Sequence, residues 1–219
     1  MPITPTLEQE SRLWQQGLSR VAGVDEVGRG CWAGPVVAAA VVLPPGLAQA
    51  DQIPLVRDSK TLNARQRQAL APQIMSQCLR WGLGLATVTE IDWLNIQQAT
   101  YLAMQRALEQ VTPWDYALVD GTLSAKTNLG GAWQAIVRGD TQCYSIACAA
   151  ILAKVSRDQW LSHLGHRYPE YGWERNKGYG TREHQQALQR LGVTPWHRQS
   201  FGPIRAIGFG RGKGEPDRC

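Results

Sequence analysis

The chain has 219 residues, of which 43% are hydrophobic and 19% charged, a balance typical of one globular domain with a sizeable core. It carries 23 Lys and Arg against 18 Asp and Glu, a net charge of +5 at pH 7, and it contains no apolar run long enough to span a membrane. The first residues lack the basic start, apolar middle and cleavage site of a secretory signal, so we expect a cytoplasmic protein without a membrane partner.

The basic surplus lies in the C-terminal part of the chain. Residues 154–219 hold 12 Lys and Arg against 6 Asp and Glu, whereas residues 1–153 hold 11 against 12. Such an asymmetry is typical of proteins with a polyanionic partner, because each phosphate that a cationic side chain neutralises releases counterions. Five scattered cysteines without a C-x-x-C pair predict reduced thiols rather than a disulfide framework.

Hydrophobic runs bounded by glycine or proline predict strands, and a polar cap before an amphipathic stretch predicts the start of a helix. The predicted elements are a loose or helical leader (1–19), strands at 21–25 and 34–43, a helix at 64–80 capped by Asn63 and Gln66, a strand at 82–88, a helix that starts at Thr89 with Asp92 and ends near Pro113, strands at 116–120 and 134–140, an alanine-rich helix at 145–155, and a flexible basic tail at 208–219. This mixture of strands and helices predicts a three-layer α/β domain around a central sheet.

Three strand-like runs end in acidic residues. Asp25 and Glu26 end the first, Asp120 ends the run at 116–120, and Asp140 ends the run at 134–140. A single acid after a strand is commonly a solvated turn residue, but burying carboxylates without a partner costs several kcal/mol, so three such ends favour a shared divalent cation site. Mg²⁺ or Mn²⁺ suits such oxygen ligands, and a pair of these ions about 3.5 to 4 Å apart is used for phosphodiester hydrolysis.

Several motifs, taken in order and spacing, resemble those of bacterial ribonuclease HII from about residue 20 to residue 206. They are VAGVDEVGRG, RDSKTL, ALVDG, VRGD, SIACAAILAKVSRD, NKGYGT and HRQSFGP. The resemblance implies a ribonuclease H-like fold with a central mixed sheet and a helical C-terminal extension. It divides the chain into a leader (1–19), a catalytic domain (20–160), an extension that contributes to substrate binding (161–207) and a tail (208–219).

The resemblance also implies an endonuclease that cuts RNA in RNA–DNA hybrids and single ribonucleotides in duplex DNA. Hydrolysis with two metal ions would leave 5′-phosphate and 3′-hydroxyl ends. The family's acidic metal site falls on the four acids already singled out, Asp25, Glu26, Asp120 and Asp140. We expect a monomer, and a replication clamp is a further partner that the sequence leaves open.

The resemblance assigns substrate contacts as well. Gly28, Arg29 and Gly30 form a turn suited to contacting the ribose 2′-hydroxyl through backbone groups, and Tyr179 matches a tyrosine that packs against the sugar at the RNA–DNA junction. Supporting positions that touch phosphates or order the site are Ser59, Lys60, Lys177, His184 and Arg198. Basic residues expected to hold the duplex are Arg157, Arg175, Lys177 and Arg182, and Trp32 is a candidate for stacking on nucleic acid.

Two departures from the family pattern and two alternative functions stay open at this point. Cys31 and Trp32 replace a proline-led dipeptide after the glycine turn, and Ala150 stands where serine is common. One alternative is a metal-independent ribonuclease in which His184 and His197 act as acid and base and form cyclic phosphates. The other is a non-catalytic module that binds hybrids and uses the acids structurally.

Overall fold

The computed structural model of the protein describes residues 4–210. The predicted tail at 208–219 falls outside the described residues except for 208–210, whose backbone ends the last helix. The elements in chain order are α1 (Glu8–Gln15), β1 (Val21–Val27), β2 (Val36–Val42), α2 (Ala64–Gln77), β3 (Arg80–Ala86), α3 (Val88–Leu94), α4 (Ile96–Gln110), β4 (Tyr116–Asp120), β5 (Trp133–Ile136), α5 (Tyr144–Arg167), α6 (Trp173–Asn176), α7 (Arg182–Leu191) and α8 (Gly202–Gly210).

The strands form one mixed sheet in the order β3-β2-β1-β4-β5. Strand β1 is antiparallel to β2 and parallel to β4, and β4 is parallel to β5. Val24 of β1 is level with Val119 of β4. The residues that follow, Asp25 and Asp120, therefore lie side by side near the carboxyl ends of these two strands.

Helices cover both faces of this sheet, which confirms the predicted three-layer α/β architecture. On one face α4 comes so near to β3 that a Cβ atom at Gly84 would lie 2.1 Å from the carbonyl oxygen of Ala103. On the other face α2 and α5 pack against β2, and a Cβ atom at Gly23 of β1 would lie 2.3 Å from the backbone of Ser145. Glycine at these contacts lets helix and sheet approach closely.

The helix predicted to begin at Thr89 with Asp92 is wrong at its start. The cap is Thr87, whose Oγ1 accepts a hydrogen bond from the Glu90 backbone N–H at 3.2 Å, while the Glu90 carboxylate accepts one from the Thr87 backbone N–H at 2.8 Å. The chain then turns at Asn95, which has a φ of 73° and caps α4, so two helices stand where one was predicted. The reciprocal pair stabilises the earlier start because it satisfies two backbone donors.

Other predicted elements occur with shifted ends. The capping box of Asn63 and Gln66 is confirmed. Strand β5 ends at Ile136, so Asp140 lies in a short 3₁₀ turn after the strand rather than at its end. Helix α5 runs to Arg167, well beyond the predicted 145–155, and the domain boundary placed between residues 160 and 161 falls inside it.

The C-terminal extension packs on the second half of α5 around a cluster of aromatic rings. Tyr171 stacks on Trp173 with ring centroids 5.2 Å apart, and both lie against His197. The Asp92 carboxylate accepts hydrogen bonds from the backbone N–H of Ser200 and from its hydroxyl, which ties the extension to α3. The extension and the sheet domain therefore share one packed structure.

The described residues show the character of the helices and the state of four of the five cysteines. Among residues 4–210, no helix has the length and apolar character needed to cross a membrane. Cys31, Cys78, Cys143 and Cys148 are free thiols, and Cys219 lies outside the described residues. Burial raises the pKa of Cys78 and of Cys143 to about 12, so both stay protonated at neutral pH.

Candidate active site

Four carboxylates meet at the edge of the sheet where β1 and β4 end. Asp25 and Glu26 lie near the end of β1, Asp120 is the last residue of β4, and Asp140 lies in the 3₁₀ turn after β5. Because β1, β4 and β5 are parallel, their carboxyl ends bring together acids that are far apart in the sequence. The four predicted acids are near enough that the charges of Glu26, Asp120 and Asp140 all act on Asp25, and we refer to this group as the acidic crevice.

These carboxylates act on one another electrostatically. Burial, followed by the charges of Glu26 and Asp120, raises the pKa of Asp25 well above its ordinary value. Burial also raises the pKa of Glu26 and of Asp140, in each case against the opposing effect of a neighbouring cation. The crevice therefore concentrates more negative charge than its own basic residues balance.

Each carboxylate is oriented through one of its oxygens. The hydrogen bonds run from Glu26 N to Asp25 Oδ1 (2.6 Å), from Gly139 N to Asp120 Oδ1 (2.5 Å), from Arg29 Nη1 to Glu26 Oε1 (3.2 Å) and from Lys60 Nζ to Asp140 Oδ2 (3.5 Å). The other oxygen of Glu26, Oε2, is buried and has no hydrogen-bond partner among the described residues. A buried acceptor without a donor is costly, so this oxygen is suited to a ligand.

The donor set of the crevice fits a hard divalent cation. Four carboxylates supply the oxygen ligands that Mg²⁺ and Mn²⁺ prefer. Over residues 4–210, no group of three or more His, Cys, Asp or Glu side chains is arranged so that it could hold an ion as it stands. Carboxylates repel one another unless cations offset their charge, and here the charges of Glu26 and Asp120 add to burial in raising the pKa of Asp25.

The Gly28–Gly30 turn lies directly after the first two acids. Gly28 has a φ of 94°, and a Cβ atom there would lie 2.2 Å from Nε of Arg157, so only glycine fits. A Cβ atom at Gly30 would meet nothing within 4 Å. The turn is thus packed on the protein side at Gly28 and open at Gly30, where a ligand could approach the backbone closely.

Ser59 and Lys60 lie in a 3₁₀ turn that faces Asp140. The Asp58 carboxylate accepts a hydrogen bond from the Lys60 backbone N–H at 2.8 Å and so caps this turn. Ser59 is buried and its carbonyl accepts from Arg67, whereas the Lys60 side chain is 79% exposed. Lys60 can therefore reach a phosphate near the acids, and Ser59 acts on the turn from within.

The loop at 177–180 lies against the residues that follow the glycine turn. The Trp32 backbone N–H donates to the Gly178 carbonyl at 2.8 Å, and a Cβ atom at Gly180 would lie 2.3 Å from the Trp32 ring. Tyr179 between these glycines is 43% exposed. Burial and the neighbouring Cys31 thiol raise the pKa of Tyr179. The Cys31 and Trp32 departure from the family pattern thus forms the wall on which the tyrosine loop rests.

Three residues predicted to contact nucleic acid or order the site are fully buried, so the predicted phosphate contact of Arg157 is wrong, and of the two roles predicted for His184 and Arg198 only that of ordering the site is left. They are Arg157, His184 and Arg198, each of which bonds to groups inside the protein. Lys177 is half-buried and its ammonium donates to the Ser162 hydroxyl at 2.6 Å. A solvated phosphate cannot reach the buried side chains, so their place in the site has to be indirect.

The buried histidines also exclude the metal-independent alternative. His184 Nδ1 faces the Tyr179 carbonyl at 2.9 Å, so it carries the proton, and its Nε2 accepts from Trp173 Nε1 at 3.2 Å and from His197 Nε2 at 3.0 Å. His197 Nδ1 in turn accepts from the Thr194 backbone N–H at 2.8 Å. Burial lowers the pKa of His184, and burial with the adjacent His184 lowers that of His197 to about 3. Neither ring can exchange protons with a substrate.

The remaining basic residues predicted to hold a duplex lie on the surface. Arg182 begins α7 and is exposed, and Arg175 forms an ion pair with Glu183. The buried role of Arg157 could have been inferred from its spacing. It stands four residues after Ala153 and seven after Ala150, on the face of α5 that small residues mark as buried.

Comparisons with known proteins match the chain to one family. The ribonuclease HII family model matches residues 22–203. A ribonuclease HII from Thermosynechococcus vestitus is 60% identical over 198 residues, which cover 90% of each chain. The ribonuclease H2 from Pyrococcus horikoshii superposes with a TM-score of 0.76 at 24% identity, covering 89% of this chain and 100% of that one. A structure of the PCNA:RNase HII complex from Archaeoglobus fulgidus gives a TM-score of 0.71 at 23% identity, covering 85% and 96%.

The two structural likenesses agree with the mixed sheet and its covering helices, and they show a ribonuclease H-like α/β fold. The family match at residues 22–203 spans the acids, the glycine turn and most of the C-terminal extension. The chain therefore belongs to the ribonuclease HII family, whose members are metal-dependent endonucleases of the ribonuclease H class that act on RNA–DNA hybrids.

Proposed function

We propose that this endonuclease cuts the RNA strand of hybrids, and single ribonucleotides within duplex DNA, with Asp25, Glu26, Asp120 and Asp140 as the ligands of two Mg²⁺ or Mn²⁺ ions. The observation that carries the proposal is the grouping of four carboxylates at one sheet edge, where burial, and then the charges of Glu26 and Asp120, raise the pKa of Asp25 well above its ordinary value. A stable protein keeps such repulsion where a cation offsets it. The products would carry 5′-phosphate and 3′-hydroxyl ends.

The protein's part in the reaction is to hold charge and position at the scissile phosphate. The four acids would hold divalent ions, which would supply an activated water and positive charge near the phosphate and the leaving 3′-oxygen. The backbone N–H groups of Glu26 and Gly139 orient the carboxylates of Asp25 and Asp120. Lys60, exposed beside Asp140, supplies a positive charge that attracts a backbone phosphate.

Recognition of the ribose is assigned to two neighbouring segments. The open side of the turn at Gly30 lets backbone groups approach the 2′-hydroxyl, the group that distinguishes RNA from DNA. The exposed ring of Tyr179 would pack on the sugar at the junction. Arg29, held at the rim by Glu26, can pair with phosphate instead when substrate binds.

Cleavage of a duplex that contains one ribonucleotide tests the proposal. We expect activity with Mg²⁺ or Mn²⁺, none with EDTA, and products with 5′-phosphate and 3′-hydroxyl ends. Cyclic phosphate products would contradict it. The double variant Asp25→Asn with Asp120→Asn should be inactive, since it removes two ligand charges. Activity that persists in this variant would come from a contaminant and would leave only the alternative of a hybrid-binding module.

We also propose that the protein is a monomer and that it contacts a replication clamp. A monomer is expected, which light scattering during size-exclusion chromatography can test. The relative from Archaeoglobus fulgidus was solved in a complex with PCNA, which makes a replication clamp a partner to test by co-elution with the purified clamp. Co-elution would support the contact, and separate elution at micromolar concentrations would exclude a stable complex.

A further inference from the structure

Two fully buried arginines, Arg157 and Arg198, lie behind the Gly28–Gly30 turn. Arg157 belongs to α5, and Arg198 follows α7 in the C-terminal extension. No ion pair joins either guanidinium to a carboxylate within the described part of the chain. A buried charge without a counterion is costly unless acceptors surround it, so their acceptors indicate what these residues do.

Arg157 connects the segment after the glycine turn to the tyrosine loop. Its Nε donates to the Pro35 carbonyl at 2.9 Å, its Nη2 to the Ala33 carbonyl at 3.0 Å, and its Nη1 to the Lys177 carbonyl at 2.9 Å. The backbone of Gly28 rests on the same guanidinium, since a Cβ atom there would lie 2.2 Å from Nε. One side chain therefore touches both segments that are assigned to the ribose.

Arg198 holds the turn from the other side. Its Nε donates to the Gly34 carbonyl and its Nη1 to the Arg29 carbonyl, each at 2.9 Å. Its own backbone N–H donates to the Trp32 carbonyl at 2.9 Å, and its guanidinium lies 5.2 Å from the Phe201 ring centroid. The carbonyl groups of residue 29 and of residues 32–35 therefore each accept a hydrogen bond from the Arg157 side chain, the Arg198 side chain or the Arg198 backbone N–H.

Placing two like charges together is unfavourable for stability alone. Burial, and then the charge of Arg157, lowers the pKa of Arg198 to about 10, so Arg198 stays charged at neutral pH. What arginine supplies in return is a rigid planar fork that fixes several carbonyls in defined directions, which the single ammonium of lysine cannot do. The two guanidiniums therefore hold the backbone of these segments in defined positions.

We propose that Arg157 and Arg198 are positioning residues that fix the Gly28–Gly30 turn relative to the loop at 177–180, and thereby set the preference for ribonucleotide over deoxyribonucleotide. The inference rests on the proposed function, because it takes these two segments to be the ribose contacts. Backbone recognition of one hydroxyl needs accurate placement, and a displacement of about 1 Å can cost about a hundredfold in rate. Contacts to phosphate from surface residues do not depend on this accuracy.

The test compares Arg157→Lys and Arg198→Lys with the wild type. Each variant keeps the charge but loses the fork. Affinity for a duplex with one ribonucleotide and for the same duplex made wholly of DNA is measured by fluorescence anisotropy in Ca²⁺. We expect the ratio of the two affinities to fall about tenfold or more in each variant, with affinity for the DNA duplex within about twofold of wild type. In cleavage with Mg²⁺, kcat for the ribonucleotide duplex should fall more than KM rises.

Arg205→Lys is the matched control, because Arg205 is exposed and its Nη2 donates to a single carbonyl, that of Ser200, at 3.0 Å. We expect the control to keep the wild-type ratio. Folded Arg157→Lys and Arg198→Lys proteins that keep the wild-type ratio overturn the inference, even where their melting temperatures fall. If Arg157→Lys does not fold, Arg198→Lys decides alone. A wild type that shows no preference for the ribonucleotide duplex overturns the proposed ribose contacts themselves, and the inference with them.

Discussion

The acidic crevice and the buried groups behind it differ in how far their buried polar atoms are matched by hydrogen-bond partners and opposite charges. In the crevice, Glu26 Oε2 has no partner among the described residues, and like charges raise the pKa of Asp25. Behind the crevice, Arg157 donates to three carbonyls, and His184 and His197 belong to a buried hydrogen-bonded network. Unbalanced negative charge thus lies where a ligand can arrive, whereas most polar groups behind it meet hydrogen-bond partners, with Arg198 Nη2 as an exception.

The two regions should also respond to pH with opposite signs. The folded-state pKa of Asp25 is raised, so its burial opposes folding at neutral pH, and that penalty disappears as pH falls and the carboxyl is protonated. The pKa of His197 is lowered in the folded state. As pH falls below the ordinary pKa of histidine, the unfolded chain therefore takes up a proton first, and the folded state loses stability. The predictions below test this contrast.

The largest expected effect follows removal of one charge from the crevice. Asp120→Asn should lower cleavage of the ribonucleotide duplex at least about a thousandfold, because a proposed metal ligand is lost. The amide oxygen can still accept from Gly139 N, and repulsion on Asp25 is relieved. Without divalent ions, the melting temperature should therefore stay equal or rise. A folded variant with wild-type activity would exclude Asp120 from the metal site, and a lower melting temperature would contradict the repulsion.

Substitutions at two glycines of one turn should distinguish the turn's role in packing from its role in substrate recognition. Gly28→Ala should lower the free energy of unfolding by about 1–3 kcal/mol, because its φ is positive and Arg157 occupies the space of the new methyl group. Gly30→Ala should leave that free energy within about 0.5 kcal/mol of wild type, yet lower affinity for the ribonucleotide duplex. Urea denaturation and anisotropy check both. Unchanged affinity in Gly30→Ala would argue that the substrate does not approach the open side of the turn.

Divalent ions should stabilise the crevice and leave the buried network unaffected. Adding Mg²⁺ or Mn²⁺ should raise the melting temperature of the wild type, by about 2–4 °C for each kcal/mol of binding linkage. The double variant Asp25→Asn with Asp120→Asn should show no such rise. Differential scanning fluorimetry at constant ionic strength measures the effect. An equal rise in both proteins would mean that the ions bind elsewhere.

The smallest effect is expected in the histidine network. Relative to His197→Gln, the wild type should lose stability as pH falls from 7 to 5, with a slope of at most about 1.4 kcal/mol per pH unit from one proton. The acids of the crevice are present in both proteins, so their opposite contribution cancels in the difference. Urea midpoints across this range provide the measurement. Parallel curves would show that His197 does not titrate differently in the folded and unfolded states.

Local patterns in the sequence were sufficient for much of the fold. The apolar runs before Asp25 and Asp120 predicted strands, and the pair Asn63 and Gln66 predicted the start of α2, because these signals act within a few residues. The cap of α3 was misplaced by two residues, since Thr89 and Thr87 both present a hydroxyl and only the reciprocal bond to Glu90 decides between them. A local pattern therefore limits the residues that could cap the helix without deciding which of them does.

For this protein, the order of acids along the chain determined that a cation site was possible, because carboxylates at the ends of apolar strands need a counter-charge. Helical spacing places Arg157 on the buried face of α5, but only the tertiary structure decided what encloses it and which other basic residues are buried. Arg157, His184 and Arg198 are residue types that commonly contact nucleic acid, but each is enclosed by segments distant in sequence. Burial and hydrogen-bond partners depend on how those segments pack, and a linear pattern does not carry that information.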